Sequence, residues 1–235
     1  MDEKNFYLVS LGCAKNTVDS ESMASLLMDA GYRPVEKASQ AGVLIVNTCG
    51  FIRPAREESI ETLQELARRK RRGQMLIAAG CLTERYREEV VTQVPGVDGI
   101  LGTRRWMDIL DVVQGLRATA PAPLYHLPDA PTIGTDEHGV LRAAVQGTSA
   151  YLKIADGCRR PCAFCSIPLI KGTIVSRPMD TILHEARTLR DSGMQELILI
   201  AQDTTDYGHD LGMQDGLARL LENLTREVPD LPGFA

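Results

Sequence analysis

Short apolar segments alternate with amphipathic segments along the first half of the chain. Four apolar segments have the length and the β-branched content of buried strands: FYLVSLG, GVLIVNT, QMLIAAG and DGILG. The segments between them carry apolar residues at helical spacing, as in residues 18–32, where Gly31 is a natural stop. From residue 6 to about 116, this alternation predicts a parallel sheet with helices on both faces.

A proline-rich stretch separates this pattern from a second one. The segment ATAPAPLYHLPDAPTIGTDEHG indicates a linker that carries at most a small hairpin. Two strands, AYLKIADG and QELILIAQD, then alternate with two helices. We therefore expect an N-terminal domain over 1–117, a linker over 118–148 and a second domain over 149–235. Two strand–helix pairs do not close a barrel of ~8, so the second domain is expected to be truncated.

Composition narrows the class of protein. The 235 residues are 44% hydrophobic and 24% charged, which is typical of a soluble globular protein. The net charge of −5 argues against a protein that mainly coats nucleic acid. No apolar stretch approaches the ~20 residues that span a bilayer, and the acidic N-terminus MDEKNFYLVS does not resemble a signal peptide. These features predict a cytoplasmic location, where thiols stay reduced.

Three cysteines follow the strand AYLKIADG at CxxxCxxC spacing: Cys158, Cys162 and Cys165. Three thiolates within eight residues suit a 4Fe–4S cluster that keeps one iron open. The alternative is a zinc site, which would require a fourth Cys or His. The next histidine, His184, lies within a predicted helix, so the spacing favours the cluster.

The other three cysteines each end one of the first three predicted strands, in SLGC, VNTC and AAGC. The carboxyl ends of parallel strands lie at one edge of a sheet, where ligands bind. Cys13, Cys49 and Cys81 should therefore meet in space although they are more than thirty residues apart in sequence. The alternative is three unrelated buried thiols. The repeated position at a strand end favours a shared metal site.

The combination of these two cysteine sets resembles the radical S-adenosylmethionine methylthiotransferases. Proteins of that family carry two 4Fe–4S clusters and convert C–H into C–SCH₃. The segments SLGCAKNTVDSE, ADGCRRPCAFCSIPLIKGTIVSRP and ILIAQDTTDYG are similar to the branch that modifies an aspartate of a small-subunit ribosomal protein. The resemblance covers nearly the whole chain. It implies an α/β fold, with an N-terminal parallel-sheet methylthiotransferase domain followed by the start of a radical SAM partial (β/α) barrel.

The resemblance also implies roles for individual residues. The radical-generating cluster would be bound by Cys158, Cys162 and Cys165, and the auxiliary cluster by Cys13, Cys49 and Cys81. The implied contacts to S-adenosylmethionine involve Phe164, Arg177, Gln202 and Asp203. Arg177 would pair with the cofactor carboxylate, and the alternative role for Gln202 and Asp203 is to cap a loop. Residues beside the auxiliary ligands would donate hydrogen bonds to cluster sulfurs: Asn16, Asn47 and Thr48. No catalytic residue is assigned.

In the reaction implied by the resemblance, one S-adenosylmethionine donates methyl to a cluster-bound sulfur. A second is cleaved to the 5′-deoxyadenosyl radical that activates the aspartate β-carbon. The implied partners are the ribosomal protein, either free or on the ribosome, and an electron donor such as flavodoxin or ferredoxin, with no membrane. The alternatives are the same chemistry on a tRNA adenosine, and a non-catalytic iron–sulfur or zinc module.

Two features depart from the family pattern. Lys171 stands where the family usually has arginine, so the charge is kept but the planar fork is lost. Family members are roughly twice as long, so a chain that stops at Ala235 is expected to lack a full catalytic pocket. The basic run Arg68–Arg72 lies at a predicted helix end, where it suits either the helix dipole or contact with the ribosome.

Overall fold

A computed structural model describes residues 3–118, 123–134, 139–229 and 233–234. These residues form two compact units. The first unit comprises the described residues up to Ala130 together with 139–140. The second comprises 131–134 and the described residues from Leu141 onward.

The first unit is built on a six-stranded sheet in which every pairing is parallel. Its strands are β1 (Asn5–Ser10), β2 (Arg33–Pro34), β3 (Val43–Thr48), β4 (Met75–Gly80), β5 (Gly99–Gly102) and β6 (Leu124–His126). In space they follow the order β2-β1-β3-β4-β5-β6. The chain thus adds β2 on one side of β1 and all later strands on the other side. Every residue of β3 is buried, as expected for a central parallel strand covered on both faces.

Helices cover both faces of this sheet. They are α1 (Ala14–Asp29), α2 (Arg53–Arg69), α3 (Cys81–Gln93) and α4 (Ile109–Arg117). Leu44 and Val46 of β3 pack in one cluster with apolar residues of α2 and α3. Successive side chains of a strand alternate between faces, so Val43 and Ile45 point to the other face. There α1 lies beside α4. The predicted parallel sheet with helices on both faces is confirmed.

The second unit contains a four-stranded sheet and a small two-stranded one. Its strands are β7 (Ala143–Gln146), β8 (Ser149–Lys153), β9 (Ala155–Asp156), β10 (Val175–Ser176), β11 (Glu196–Ile200) and β12 (Gly233–Phe234). The larger sheet has the order β12-β11-β8-β7, and β9 pairs with β10. Strands β8, β11 and β12 are parallel, while β7 is antiparallel to β8. The parallel strands alternate with helices, as in the start of a (β/α) barrel.

Three α-helices belong to this unit: α5 (Ile167–Lys171), α6 (Met179–Asp191) and α7 (Gly216–Glu227). Helices α6 and α7 pack beside each other. Their apolar faces meet Leu152 of β8 and Leu197 of β11 in one core cluster. The strongly amphipathic α7 contributes Leu220 and Leu224, both fully buried.

The segment expected to be a linker, 118–148, contains a strand of each sheet. Strand β6 extends the first sheet, and β7 forms a hairpin with β8 around Gly147, whose φ is 64°. Residues 119–122 and 135–138 of this segment lie outside the described residues. The segment therefore does more than connect the two units, because part of it completes their sheets.

Candidate functional site

Three strand-to-helix turns of the first unit carry a cysteine at the same edge of the sheet. Strands β1, β3 and β4 are neighbours, and Cys13, Cys49 and Cys81 follow their carboxyl ends. Cys13 is the N-cap of α1, Cys81 is the first residue of α3, and Cys49 begins the turn that leads to α2. The strand order reverses at β1, and a crevice opens at the carboxyl edge of a sheet at such a point. Two of the three turns, after β1 and β3, border that point.

Glycines beside these cysteines allow the turns to touch. Gly12 has a φ of 94°, and a Cβ added there would lie 2.6 Å from the Cβ of Cys49. Gly50 would place a Cβ 2.7 Å from the Cα of Leu82, in the turn of Cys81. Any side chain at these glycines would fill the space between neighbouring turns. The glycine–cysteine pairs in the sequence therefore bring the three turns into van der Waals contact.

One buried side chain contacts all three turns. The Nδ2 of Asn16 donates to the carbonyl oxygen of Leu11 at 2.9 Å and to that of Thr48 at 3.0 Å. Its Oδ1 lies 3.8 Å from the Sγ of Cys81, which donates to it. Asn16 is only 1% exposed. This amide therefore lies at the centre of the cysteine turns.

The neighbouring polar residues hold the same region together. Asn47 Nδ2 donates to the carbonyl oxygen of Asn16 at 2.9 Å and to Ser20 Oγ at 3.0 Å. Thr48 Oγ1 donates to the carbonyl oxygen of Ala79 at 2.5 Å. The expected hydrogen bonds from Asn16, Asn47 and Thr48 to cluster sulfurs stay a prediction. Their donors are already used by oxygen acceptors, so these residues hold the turns in place.

The three thiols differ in their environment. Cys13 is exposed, whereas Cys49 and Cys81 are buried. Burial raises the pKa of the Cys49 thiol, against backbone hydrogen bonds at Phe51 and Ile52 that lower it. The charge of the nearby Cys13 adds to the increase. Across the ranges that the structure describes, no three Cys, His, Asp or Glu side chains converge closely enough to hold a metal ion.

The chemistry of this edge nevertheless fits an iron–sulfur cluster. Thiolates are the usual protein ligands of such clusters. Cys13 and Cys81 also begin helices, where the helix dipole favours a negative sulfur. The space left by Gly12 lies 3.0 Å from the Sγ of Cys49. The ligand role of Cys13, Cys49 and Cys81 stays a prediction.

The second cysteine set lies in a loop of the second unit, after β9. Cys158 is buried, Cys162 is exposed and Cys165 is half-buried. The N–H of Cys165 donates to the carbonyl oxygen of Cys162 at 3.0 Å, which closes a turn between the last two cysteines. Before the loop, Gly157 has a φ of 75°, and a Cβ there would overlap the carbonyl oxygen of Thr173. The ligand role of this set is likewise still a prediction.

Two arginines within the cysteine loop pair with the turn that follows β11. Arg159 binds both carboxylate oxygens of Asp206 at 2.7 Å. Arg160 donates through Nε to Asp203 at 2.7 Å. Hydrogen bonds from Thr205, followed by those from Arg160, lower the pKa of Asp203. Arg160 also lies 3.7 Å from Asp206, so three ion pairs attach the CRRPC loop to the turn after the next parallel strand.

A buried charge cluster precedes Cys158. Asp156 accepts from Lys153 at 2.9 Å and from Lys171 at 2.7 Å, and all three are buried. Burial opposes ionisation, yet these two ammonium groups hold the pKa of Asp156 well below its usual range. Lys171 therefore acts here as a point charge on a carboxylate. Asp156 was not expected from the sequence, although charged residues inside the buried strand segment YLKIAD were a signal for it.

The residues expected to contact S-adenosylmethionine have distinct environments. Phe164 is 90% exposed. The fork of Arg177 binds both oxygens of Glu185, at 2.7 and 2.5 Å. The oxygens of Asp203 accept from Arg160 and Thr205, as a loop-capping role requires. The cofactor roles are still predictions, and for Arg177 such a role would require exchange with Glu185.

Gln202 differs from the other three residues because part of its amide is unused. Its Nε2 donates to Asp156 at 3.4 Å. Its Oε1 is buried and has no hydrogen-bond partner in the part of the chain that the structure describes. An unpaired buried acceptor is costly, so this oxygen is suited to receive a donor from a ligand.

No helix within the described ranges combines the length and the apolar character that crossing a membrane requires.

Comparison with protein families and known proteins gives three results. Residues 5–102 match the model of "Uncharacterized protein family UPF0004". The chain is 45% identical to the ribosomal protein uS12 methylthiotransferase RimO of Roseiflexus sp. (strain RS-1), over 95% of this chain and 51% of that protein. It is 46% identical to the protein of the same name from Symbiobacterium thermophilum, over 93% of this chain and 45% of that protein. The chain thus spans about half the length of the curated relatives it matches.

The fold is similar to that of a solved radical S-adenosylmethionine methyltransferase, TsrM from Kitasatospora setae. The TM-score is 0.66 at 13% sequence identity, covering 97% of this chain and 53% of that one. A second structure of the same protein, with cobalamin and a [4Fe–4S] cluster bound, gives a TM-score of 0.65 at 14% identity. At this level of identity the likeness concerns the fold alone. It agrees with the predicted fold class.

Proposed function

We propose that the protein containing this chain is a methylthiotransferase that acts on an aspartate of a small-subunit ribosomal protein. About 95% of the chain is similar in sequence to a RimO protein. The observation that carries this proposal is the presence of two separate cysteine sets. One is delivered by three neighbouring parallel strands, and the other has CxxxCxxC spacing in one loop. The relatives of similar sequence are named as uS12 methylthiotransferases, which indicates the substrate.

Each cysteine set would hold one 4Fe–4S cluster. Cys13, Cys49 and Cys81 would bind the auxiliary cluster, in the domain we place at 1–117. Cys158, Cys162 and Cys165 would bind the second cluster, in the domain we place at 149–235. When bound, this second cluster with S-adenosylmethionine would supply the reducing electron and the carbon radical that activates a C–H bond, while the auxiliary cluster would bind the sulfur that is methylated and transferred.

The residues of the chain would position these groups. The ion pairs of Arg159 and Arg160 hold the cysteine loop against the end of β11. Gln202 would use its unpaired Oε1 to accept a hydrogen bond from the cofactor. Phe164, nearly fully exposed, would cover one side of the cofactor. Arg177 would bind the cofactor carboxylate. In this structure its guanidinium binds the carboxylate of Glu185, which is the same kind of group.

The proposed substrate indicates where in the cell the protein acts and which partners it needs. A ribosomal protein is modified in the cytoplasm, where the six cysteines of the chain would also remain reduced. A one-electron donor such as flavodoxin or ferredoxin would reduce the second cluster.

Counting iron tests the two-cluster part of the proposal. Anaerobic reconstitution of the chain with iron and sulfide should give a brown protein with about eight irons, or two 4Fe–4S clusters. Cys158→Ala and Cys81→Ala should each lower the value to about four. A colourless protein that binds zinc would contradict the proposal and indicate a zinc module. A wild-type value of about four would contradict the second cluster.

Mass spectrometry tests the substrate. A longer protein that contains this sequence, reconstituted and supplied with S-adenosylmethionine and reductant, should add one methylthio group to an aspartate of uS12. Unmodified tRNA should remain unchanged under the same conditions. Addition of a methylthio group to a tRNA adenosine and not to uS12 would show that the chemistry is right and the substrate is wrong.

A further inference from the structure

The three cysteine turns of the first unit come from distant parts of the sequence, yet a single side chain links them. Asn16 donates to the turn after β1 through Leu11 and to the turn after β3 through Thr48. It accepts from the turn after β4 through the thiol of Cys81. We propose that Asn16 is a positioning residue that holds the three turns together and prepares the auxiliary cluster site. The inference rests on the proposed function for the identity of that cluster.

The chemistry of the amide explains why asparagine is suited to this position. A side-chain amide has two N–H donors and one oxygen acceptor. Both donors of Asn16 are used by main-chain carbonyl oxygens, at 2.9 and 3.0 Å. A carboxylate of the same shape has no donors, so those carbonyls would lose their partner in a buried region. When Cys81 gives up its proton to bind iron, both N–H bonds can remain.

Asn16 is itself held by its surroundings. Its main-chain oxygen accepts from Asn47, whose amide also donates to Ser20. Ser20 in turn donates to Ser10 at the end of β1, at 2.8 Å. All of these groups except Ser10 are buried. A side chain fixed in this way transmits the position of one turn to the others, which a flexible side chain would not do.

The experiment uses the full chain with Cys158, Cys162 and Cys165 replaced by alanine, so that only the auxiliary set can hold iron. In this background, Asn16→Asp is compared with the unmodified parent. Ser22→Ala is the matched control, because Ser22 is fully buried in the same helix and donates to Val18 of that helix. Ser20→Ala is a milder variant of the same network. Circular dichroism and the fluorescence of Trp106 confirm that each variant is folded.

Two measurements are made on every variant. The first is the rate at which a thiol reagent labels the buried cysteines of the iron-free protein. The second is iron content after reconstitution, together with the visible and EPR spectra. We expect the buried cysteines of Asn16→Asp to be labelled about tenfold faster than those of the parent. We also expect this variant to lose most of the iron that the parent binds, which is about four atoms per chain. Ser20→Ala should shift both values in the same direction, and the Ser22→Ala control should leave both unchanged.

The outcomes separate the inference from the function on which it rests. Labelling of Asn16→Asp at the parental rate would overturn the positioning role, whether or not iron binds. Faster labelling with full iron uptake would also overturn it, because the site would then not depend on Asn16. A parent that binds no iron would contradict the auxiliary cluster, while the labelling rates would still decide whether Asn16 holds the turns.

Discussion

Gly80→Ala should destabilise the first unit much more than an ordinary glycine substitution. Gly80 precedes Cys81 and has a φ of 104° and a ψ of −154°, a region that is essentially restricted to glycine. A Cβ at this position would overlap Asn47 Oδ1 and would lie 2.5 Å from the carbonyl oxygen of Thr48. Both the backbone angle and the lack of space therefore oppose any side chain.

The size of the effect follows from these two contributions. Holding a non-glycine residue in this region costs about 1–3 kcal/mol. Forcing an extra carbon into a packed region costs about 1–3 kcal/mol more. Alanine also lowers the conformational entropy of the unfolded chain, which offsets about 0.4–1 kcal/mol of the lost stability. The expected loss is about 2–5 kcal/mol, a large part of the about 5–15 kcal/mol that stabilises a typical domain.

Urea unfolding followed by tryptophan fluorescence measures this loss in the first unit. Trp106 is the only tryptophan in the sequence, and it is buried in that unit. Gly73→Ala is the matched control, because Gly73 has a φ of 86° but no heavy atom lies within 4 Å of an added Cβ. This control carries the cost of the backbone angle alone, about 1–2 kcal/mol.

The comparison of the two variants tests the close approach of the turns, because both glycines have a positive φ but only Gly80→Ala adds a steric overlap. We expect Gly80→Ala to cost about 1–3 kcal/mol more than Gly73→Ala. Equal losses, within about 0.5 kcal/mol, would show that the turns after β3 and β4 are not in contact as described. In that case the reasoning that groups the three cysteine turns would fail as well.

Three further predictions concern the second unit. Asp206→Asn weakens the two hydrogen bonds that hold Arg159, so we expect a loss of about 1 kcal/mol in urea and less iron bound by the CxxxCxxC loop after reconstitution. Lys171→Met leaves the buried carboxylate of Asp156 with one cation fewer and should cost about 3 kcal/mol in urea unfolding followed by circular dichroism. Tyr207, whose pKa burial raises to about 12, should ionise later than an ordinary tyrosine at about 10 in an absorbance titration. Because its folded pKa lies above the unfolded one, its stabilising contribution is complete below about pH 10 and is lost as the pH rises towards 12.

Each of these predictions has a control. Glu222→Gln changes one exposed carboxylate of α7 and should leave iron binding unaltered, and an equal effect from it would argue against the Asp206 ion pair. Lys171→Arg keeps the positive charge, so it should retain most of the stability that Lys171→Met loses. In Tyr207→Phe the late-titrating tyrosine should be absent; if it persists, the assignment is wrong.

The sequence was sufficient to predict the strands and helices that carry a strong hydrophobic pattern. Strand β3 was expected over 42–48 and runs from Val43 to Thr48. Helix α1 was expected from Val18, but it begins at Ala14, because Cys13 is already the N-cap. Strands β6 and β7 were not expected, since three or four residues in a proline-rich stretch show no clear period.

The position of Cys13, Cys49 and Cys81 at one edge of the first sheet was predictable for a different reason. Parallel order alone places all strand ends on one side, so three cysteines at three strand ends had to share an edge. Contacts between side chains were not predictable in this way. The pairing of Arg177 with Glu185 and of Arg159 with Asp206 depends on distances that no local pattern contains.

If both cysteine sets hold a cluster as proposed, they differ in how much of the fold must form before the metal can bind. The three cysteines of the CxxxCxxC loop lie within eight residues, so they can meet as soon as that short segment emerges. Cys13, Cys49 and Cys81 meet only after strands β1, β3 and β4 have paired, and such non-local pairing is slow. An auxiliary cluster in the first unit, as proposed, would therefore bind only to a sheet that is already assembled.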